Sequence, residues 1–152
     1  MAEAACRYRL GLQHWHPLLR ASELGRKPIR RQLCGESIVL FRTASGQAAA
    51  LQEVCPHRRM SLAAGQVRGE QLVCAYHGWR FDSTGQVSCP LMPAAELQQP
   101  AFQLREAHGL IWLREPQPGE PFTPELPSWA CGSRAGGGDR PHGAGAAGVD
   151  PR

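Results

Sequence analysis

The densest run of apolar side chains in the chain is Ile38-Val39-Leu40-Phe41, with polar residues close on either side. A run this short, β-branched and aromatic, predicts a buried strand from Ser37 to Arg42 rather than a helix. Gly35-Glu36 separates it from an earlier strand, Ile29 to Cys34. Ser45-Gly46 turns the chain into a third strand, Gln47 to Glu53. Leu72 to Ala75, Trp79 to Phe81 and Gln86 to Ser88 read as further short strands, with a reversal at Ser83-Thr84-Gly85. Phe102 to Glu106 and Leu110 to Leu113 read as a hairpin around Ala107-His108-Gly109. No segment sustains a helical period, so the expected fold is all-β.

Less regular stretches frame these strands. In HWHPLLRASELG, Trp15, Leu18 and Leu19 read as packing residues, Pro17 bars an early helix, and Ser22 is placed to cap a single turn. The segment PHRRMSLAAGQVRGE, after Cys55, has neither a strand nor a helix period and reads as a loop with a turn. Pro90, Pro93 and Pro100 punctuate a connector. From Glu115 the chain becomes proline-rich and then, beyond Cys131, glycine-rich, with little apolar surface to offset the entropy of ordering it. A length of 152 residues suits one domain with flanks: an arm over 1–14, a domain over 15–114 and a disordered tail over 115–152.

Composition narrows the function. Lysine and arginine outnumber acidic residues 17 to 13, for a formal charge of +4 and a pI near 8.9. The basic pairs Arg30-Arg31 and Arg58-Arg59 do not extend into a stripe, so no nucleic-acid partner is expected. No apolar stretch nears the roughly twenty residues of a membrane span, and the N-terminus lacks the apolar core of a secretion signal. The expected location is the cytoplasm, with no membrane partner. Six cysteines are irregularly spaced, and two of them stand beside histidines. In a reducing compartment that favours metal ligation over cross-linking. Cys6, Cys34, Cys89 and Cys131 read as ordinary reduced thiols.

The candidate chemistry lies in Cys55-Pro56-His57 and Cys74-Ala75-Tyr76-His77, with sixteen residues between His57 and Cys74. Each short knuckle offers one thiolate and one imidazole. A Rieske-type [2Fe–2S] cluster needs that mixture, because two thiolates hold one of its irons and two imidazoles the other. Neutral imidazoles in place of thiolates remove negative charge and raise the reduction potential by several hundred millivolts over an all-cysteine cluster. Two alternatives stay open on the residues alone. Two cysteines and two histidines also make a zinc site, although zinc knuckles usually pair like with like. Coincidence of core cysteines and solvated histidines is the other. Pro56 fixes φ in the first loop, and Gly78 lets the backbone turn just after His77.

The motifs CPHRRMSLAAGQV and CAYHGWRFDSTGQV, with W-x-P-L and SIVLFR before them, resemble the Rieske domain of the large subunit of ring-hydroxylating and demethylating oxygenases. The resemblance runs from about Trp15 to Arg114. It implies small stacked antiparallel sheets with two loops clasping one [2Fe–2S] cluster through Cys55, His57, Cys74 and His77. Met60 and Tyr76 stand where high-potential Rieske proteins carry a disulfide between the loops, and Trp79 where they carry a hydroxyl. The resemblance therefore implies a low-potential centre.

By the same resemblance, electrons arrive from a ferredoxin or reductase and leave for a mononuclear iron in a separate catalytic domain. That domain also holds the substrate pocket, for aromatic or similar apolar molecules, and part of a ring-shaped oligomer interface. No cluster of the remaining histidines fits such an iron. His14 and His16 flank Trp15 without a carboxylate and read as surface or packing residues, His108 as a turn residue and His142 as part of the tail. The loss of pattern after Trp129 reads as a shifted frame or early stop in an oxygenase gene. The expected function is single-electron relay for an oxygenase, with a stand-alone Rieske ferredoxin and a zinc-stabilised binding module as alternatives.

Overall fold

A computed structural model describes residues 11–89, 97–117 and 119. In it, Ile38 to Phe41 are all fully buried, although successive side chains of a strand point to opposite faces. The strand therefore has to be covered on both sides, and the architecture follows from that need.

Ten strands are described: β1 (His16–Arg20), β2 (Ile29–Leu33), β3 (Glu36–Arg42), β4 (Ala48–Gln52), β5 (Gln66–Arg68), β6 (Gln71–Val73), β7 (Arg80–Phe81), β8 (Val87–Ser88), β9 (Ala101–Ala107) and β10 (Leu110–Arg114). They form a six-stranded sheet in the order β1-β10-β9-β4-β3-β2 and a four-stranded sheet in the order β5-β6-β7-β8. Every pairing is antiparallel. The all-β expectation holds, with short 3-10 turns at Ala21–Glu23 and Leu62–Ala64 between strands.

Two cores divide β3 between them. Val39 and Phe41, with Ala49 and Leu51 of β4, pack against Leu62, Leu72, Phe81 and Val87 of the smaller sheet and its approach, together with Cys55, Cys74 and Trp79. Ile38 and Leu40 face the other way, onto Leu12, Leu19, Leu24, Phe102, Ile111 and Leu113. One face of the large sheet thus carries the unit in which both candidate ligand loops lie.

Local chemistry accounts for the departures from expectation. The β2–β3 turn is Cys34-Gly35 rather than Gly35-Glu36, with both residues left-handed (φ 49 and 81). A two-residue hairpin needs that backbone to match the strand twist. His108-Gly109 repeats it between β9 and β10 (φ 55 and 74). The stretch HPLLR is a strand, because β10 supplies its partners from His16↔Leu113 to Arg20↔Leu110 with an irregularity between Pro17 and Leu19. Ser22 lies inside the following 3-10 turn; Arg20 holds the cap position, with no side-chain capping bond. The segment read as a loop after Cys55 contains the Leu62–Ala64 turn and β5. Most of the expected arm, the prolines at 90 and 93, and the tail beyond Gly119 lie outside the described residues.

Candidate metal centre

Both candidate ligand loops are built on one backbone frame. In the first, the Cys55 N–H donates to the Met60 carbonyl at 2.9 Å and the Arg59 N–H to the Cys55 carbonyl at 2.9 Å. In the second, the Cys74 N–H donates to the Trp79 carbonyl at 2.8 Å and the Gly78 N–H to the Cys74 carbonyl at 3.1 Å. Arg59 and Gly78 hold the same place in the frame, and both are left-handed, at φ 55 and 69. The cysteines are equivalent in the two loops. The histidines are offset, at the second position after Cys55 and the third after Cys74.

The stems come from different sheets. β4 leads into the first loop, and β6 and β7 flank the second. Cys55 and Cys74 are buried at 2% and 4% exposure, whereas His57 and His77 are exposed. The imidazoles converge, with ring centroids 4.5 Å apart at an interplanar angle of 62°. His57 also stacks on Trp79, centroids 4.7 Å apart and planes within 4°. Tyr76 tilts against His77 at 3.9 Å. Around them Met60 and Tyr76 are open to solvent at 40% and 57%.

Burial pushes the Cys55 thiol up, and the nearness of Cys74 adds to that, partly offset by backbone N–H donors at His57 and Arg58. A thiol raised in this way ionises more readily when a metal supplies positive charge. His57 is held below its ordinary value by partial desolvation first, then by His77 and Arg58. That favours the neutral imidazole able to ligate. Among the described residues no three His, Cys, Asp or Glu side chains converge as one ion would require. Two buried thiols and two outer imidazoles form separate pairs.

The other singled-out residues lie apart from this arrangement. The His16 ring bonds the Gly11 carbonyl, His14 is exposed, and His108 occupies the β9–β10 turn. Cys34, Cys55, Cys74 and Cys89 are free thiols. Cys6, Cys131 and His142 lie outside the described residues. Sequence reasoning passed over Glu53 and Gln99, polar side chains buried behind the first loop. The signal available for Glu53 was a carboxylate directly after an apolar strand.

Fold and site together define a β protein with two paired loops, each presenting one buried cysteine and one exposed histidine. The family described as "Rieske [2Fe-2S] domain" matches residues 14–102. The chain is 35% identical over 130 residues to the 5,5'-dehydrodivanillate O-demethylase oxygenase subunit of Sphingobium sp. (strain NBRC 103272 / SYK-6), covering 77% of this chain and 29% of that protein. It is 38% identical over 129 residues to the phthalate 4,5-dioxygenase oxygenase subunit of Pseudomonas putida, covering 78% and 29%. Among solved structures, apo dicamba monooxygenase superposes with a TM-score of 0.69 at 30% identity, over 79% of this chain and 38% of that one. The chain belongs to the Rieske [2Fe–2S] domain family and binds one Rieske-type cluster. It spans less than a third of the length of the two oxygenase subunits. The zinc-module alternative gives way to this match. Among the described residues no helix is long and apolar enough to cross a membrane.

Proposed function

We propose that Cys55 and Cys74 hold one iron of the cluster and His57 and His77 the other, and that the domain relays single electrons within an oxygenase system. The observation that carries this reading is the polarity of the paired loops. Their thiols are enclosed in the core while their imidazoles meet at the surface, 4.5 Å apart. When bound, the cluster supplies one-electron chemistry, tuned by its ligands, hydrogen bonds and solvent exposure.

The chain's own residues do the rest. The core around Leu62, Leu72 and Phe81 excludes water from the cysteine side. Trp79 fixes the plane of the His57 ring. The exposed imidazole edges form the contact through which an electron enters or leaves. Trp79, Met60 and Tyr76 supply neither a hydroxyl nor a disulfide, which supports a potential low in the Rieske range. The donor is a reductase or ferredoxin, and the acceptor is a mononuclear iron in a catalytic domain. The names of the relatives, a demethylase and a dioxygenase subunit, support an aromatic substrate. Reduced ligand thiols suit the cytoplasm.

Optical and low-temperature EPR spectra of the full chain, purified without oxygen, test the assignment. The untreated protein is expected to be coloured and, once reduced, to give a Rieske-type signal. His57→Ala or His77→Ala should bleach it, and His108→Ala should not. Cluster content that survives loss of both ligand histidines would overturn the ligand set.

A further inference from the structure

Behind the first ligand loop lie two polar side chains that electron relay does not use. Glu53 and Gln99 are each 2% exposed, and burial of that kind is costly unless the polar atoms are bonded. Glu53 closes the base of the loop. Its Oε1 accepts from the Ser61 hydroxyl and from the Ala63 N–H at 3.4 Å. Its carbonyl accepts from Leu62 N–H at 2.9 Å, and its N–H donates to the Ser37 carbonyl at 3.0 Å. The residue two before Cys55 is thereby tied both to the chain leaving the loop and to β3.

Gln99 holds the same stem from another direction. Its side-chain amide donates to the carbonyls of Gln52 at 2.7 Å and Val54 at 3.0 Å, on either side of Glu53. Its backbone N–H donates to Gly85 at 2.7 Å, in the turn between β7 and β8. The contact there is close, since a Cβ on Gly85 would stand 2.0 Å from the Gln99 carbonyl oxygen. Gln99 therefore connects the stem of the first ligand loop to the small sheet that carries the second.

We propose that Glu53 and Gln99 are positioning residues for the cluster, a buried polar brace that sets the Cys55–His57 loop in register with the Cys74–His77 loop. The proposal rests on the ligand assignment above. Apolar side chains would fill this space but would allow the stem to slide. Hydrogen bonds to named carbonyls and N–H groups fix it in one place. Partners beyond the ligands commonly alter metal affinity by about 10–100-fold, and a brace joining two loops acts on all four ligands at once.

Four variants of the full chain test this. Glu53→Ala and Gln99→Ala remove the brace, Glu53→Gln keeps an acceptor for Ser61 and Ala63, and Leu113→Ala weakens the fold from the opposite core. The brace predicts that Glu53→Ala and Gln99→Ala shift the EPR g-values and release iron to a chelator about tenfold faster or more. Glu53→Gln should restore most of both properties. Leu113→Ala should lower the melting temperature while leaving the g-values of the retained cluster unchanged. The proposal is overturned if the two alanine variants keep native g-values and release rates, or lose iron only in proportion to their melting temperatures as Leu113→Ala does. A native chain that never binds a cluster would instead strike at the ligand assignment itself.

Discussion

Gly78 and Gly85 both hold left-handed backbone, at φ 69 and 87, but for different reasons. A Cβ on Gly78 would meet nothing within 4 Å. Gly78→Ala should therefore cost only the conformational penalty of a non-glycine residue there, about 1 kcal/mol. A Cβ on Gly85 would collide with the Gln99 carbonyl, so Gly85→Ala should cost on the order of 3 kcal/mol, the upper end of overpacking. Arg59 already bears in the first loop the strain that Gly78 avoids in the second, and Arg59→Gly should be neutral or slightly stabilising. Urea unfolding of the three variants checks the ranking. The four ligand candidates were legible because the short cysteine–histidine spacing is itself the signal. The left-handed Arg59 was not, because an arginine gives no hint of its φ. Nor was the role of Gln99, whose partners lie 45 and 47 residues away.

Between elements, Glu70 links two turns belonging to different sheets. Its carboxylate accepts from the Ser45 N–H at 2.9 Å and hydroxyl at 2.7 Å, and beside it the Ala44 N–H donates to the Gly69 carbonyl at 2.9 Å. The Ser45 hydroxyl is the main reason its acid is stronger than usual, helped by Thr43 and the Ser45 backbone and opposed by desolvation. A carboxylate depressed in the folded state contributes stability above its unfolded pKa and loses it as pH falls through the folded value. The stability gap between wild type and Glu70→Gln should be constant near neutrality and shrink in acid; a gap independent of pH down to the acid limit would contradict this. Turn chemistry and apolar runs made β3, β4 and the β9–β10 hairpin readable. The strand HPLLR was hidden because its partner lies some ninety residues on, and β5 because three residues carry no period.

At the scale of the whole molecule, the unit with the candidate ligand loops carries a local positive charge. Residues 54–81 contain Arg58, Arg59, Arg68 and Arg80 against one carboxylate, Glu70. Arg58, Arg59 and Arg80 are exposed, as are Pro56, Met60 and Tyr76. Exposed apolar and basic side chains together are common in transient protein interfaces, and an acidic electron donor of the kind proposed above would be attracted by the arginines. Reduction of the cluster by an acidic [2Fe–2S] ferredoxin should slow as salt is added. It should slow again, on the order of tenfold, in Arg58→Glu/Arg59→Glu. Excess dithionite should still reduce the same variant completely. Equal ferredoxin rates at low and high salt would rule out steering by these arginines.

The pairing of β1 with β10 also determines how the protein would bear a load. His16 lies opposite Leu113 and Arg20 opposite Leu110, so the chain enters and leaves the large sheet at the same end of neighbouring strands. The excursion that carries the proposed ligands departs at Gln52 and returns at Pro100, joined there by a 2.8 Å hydrogen bond. Tension between the two ends of the domain would open the β1–β10 edge like a zipper, one pair at a time. The candidate ligand loops lie off that line of force, so such tension would reach the large sheet well before it disturbed them.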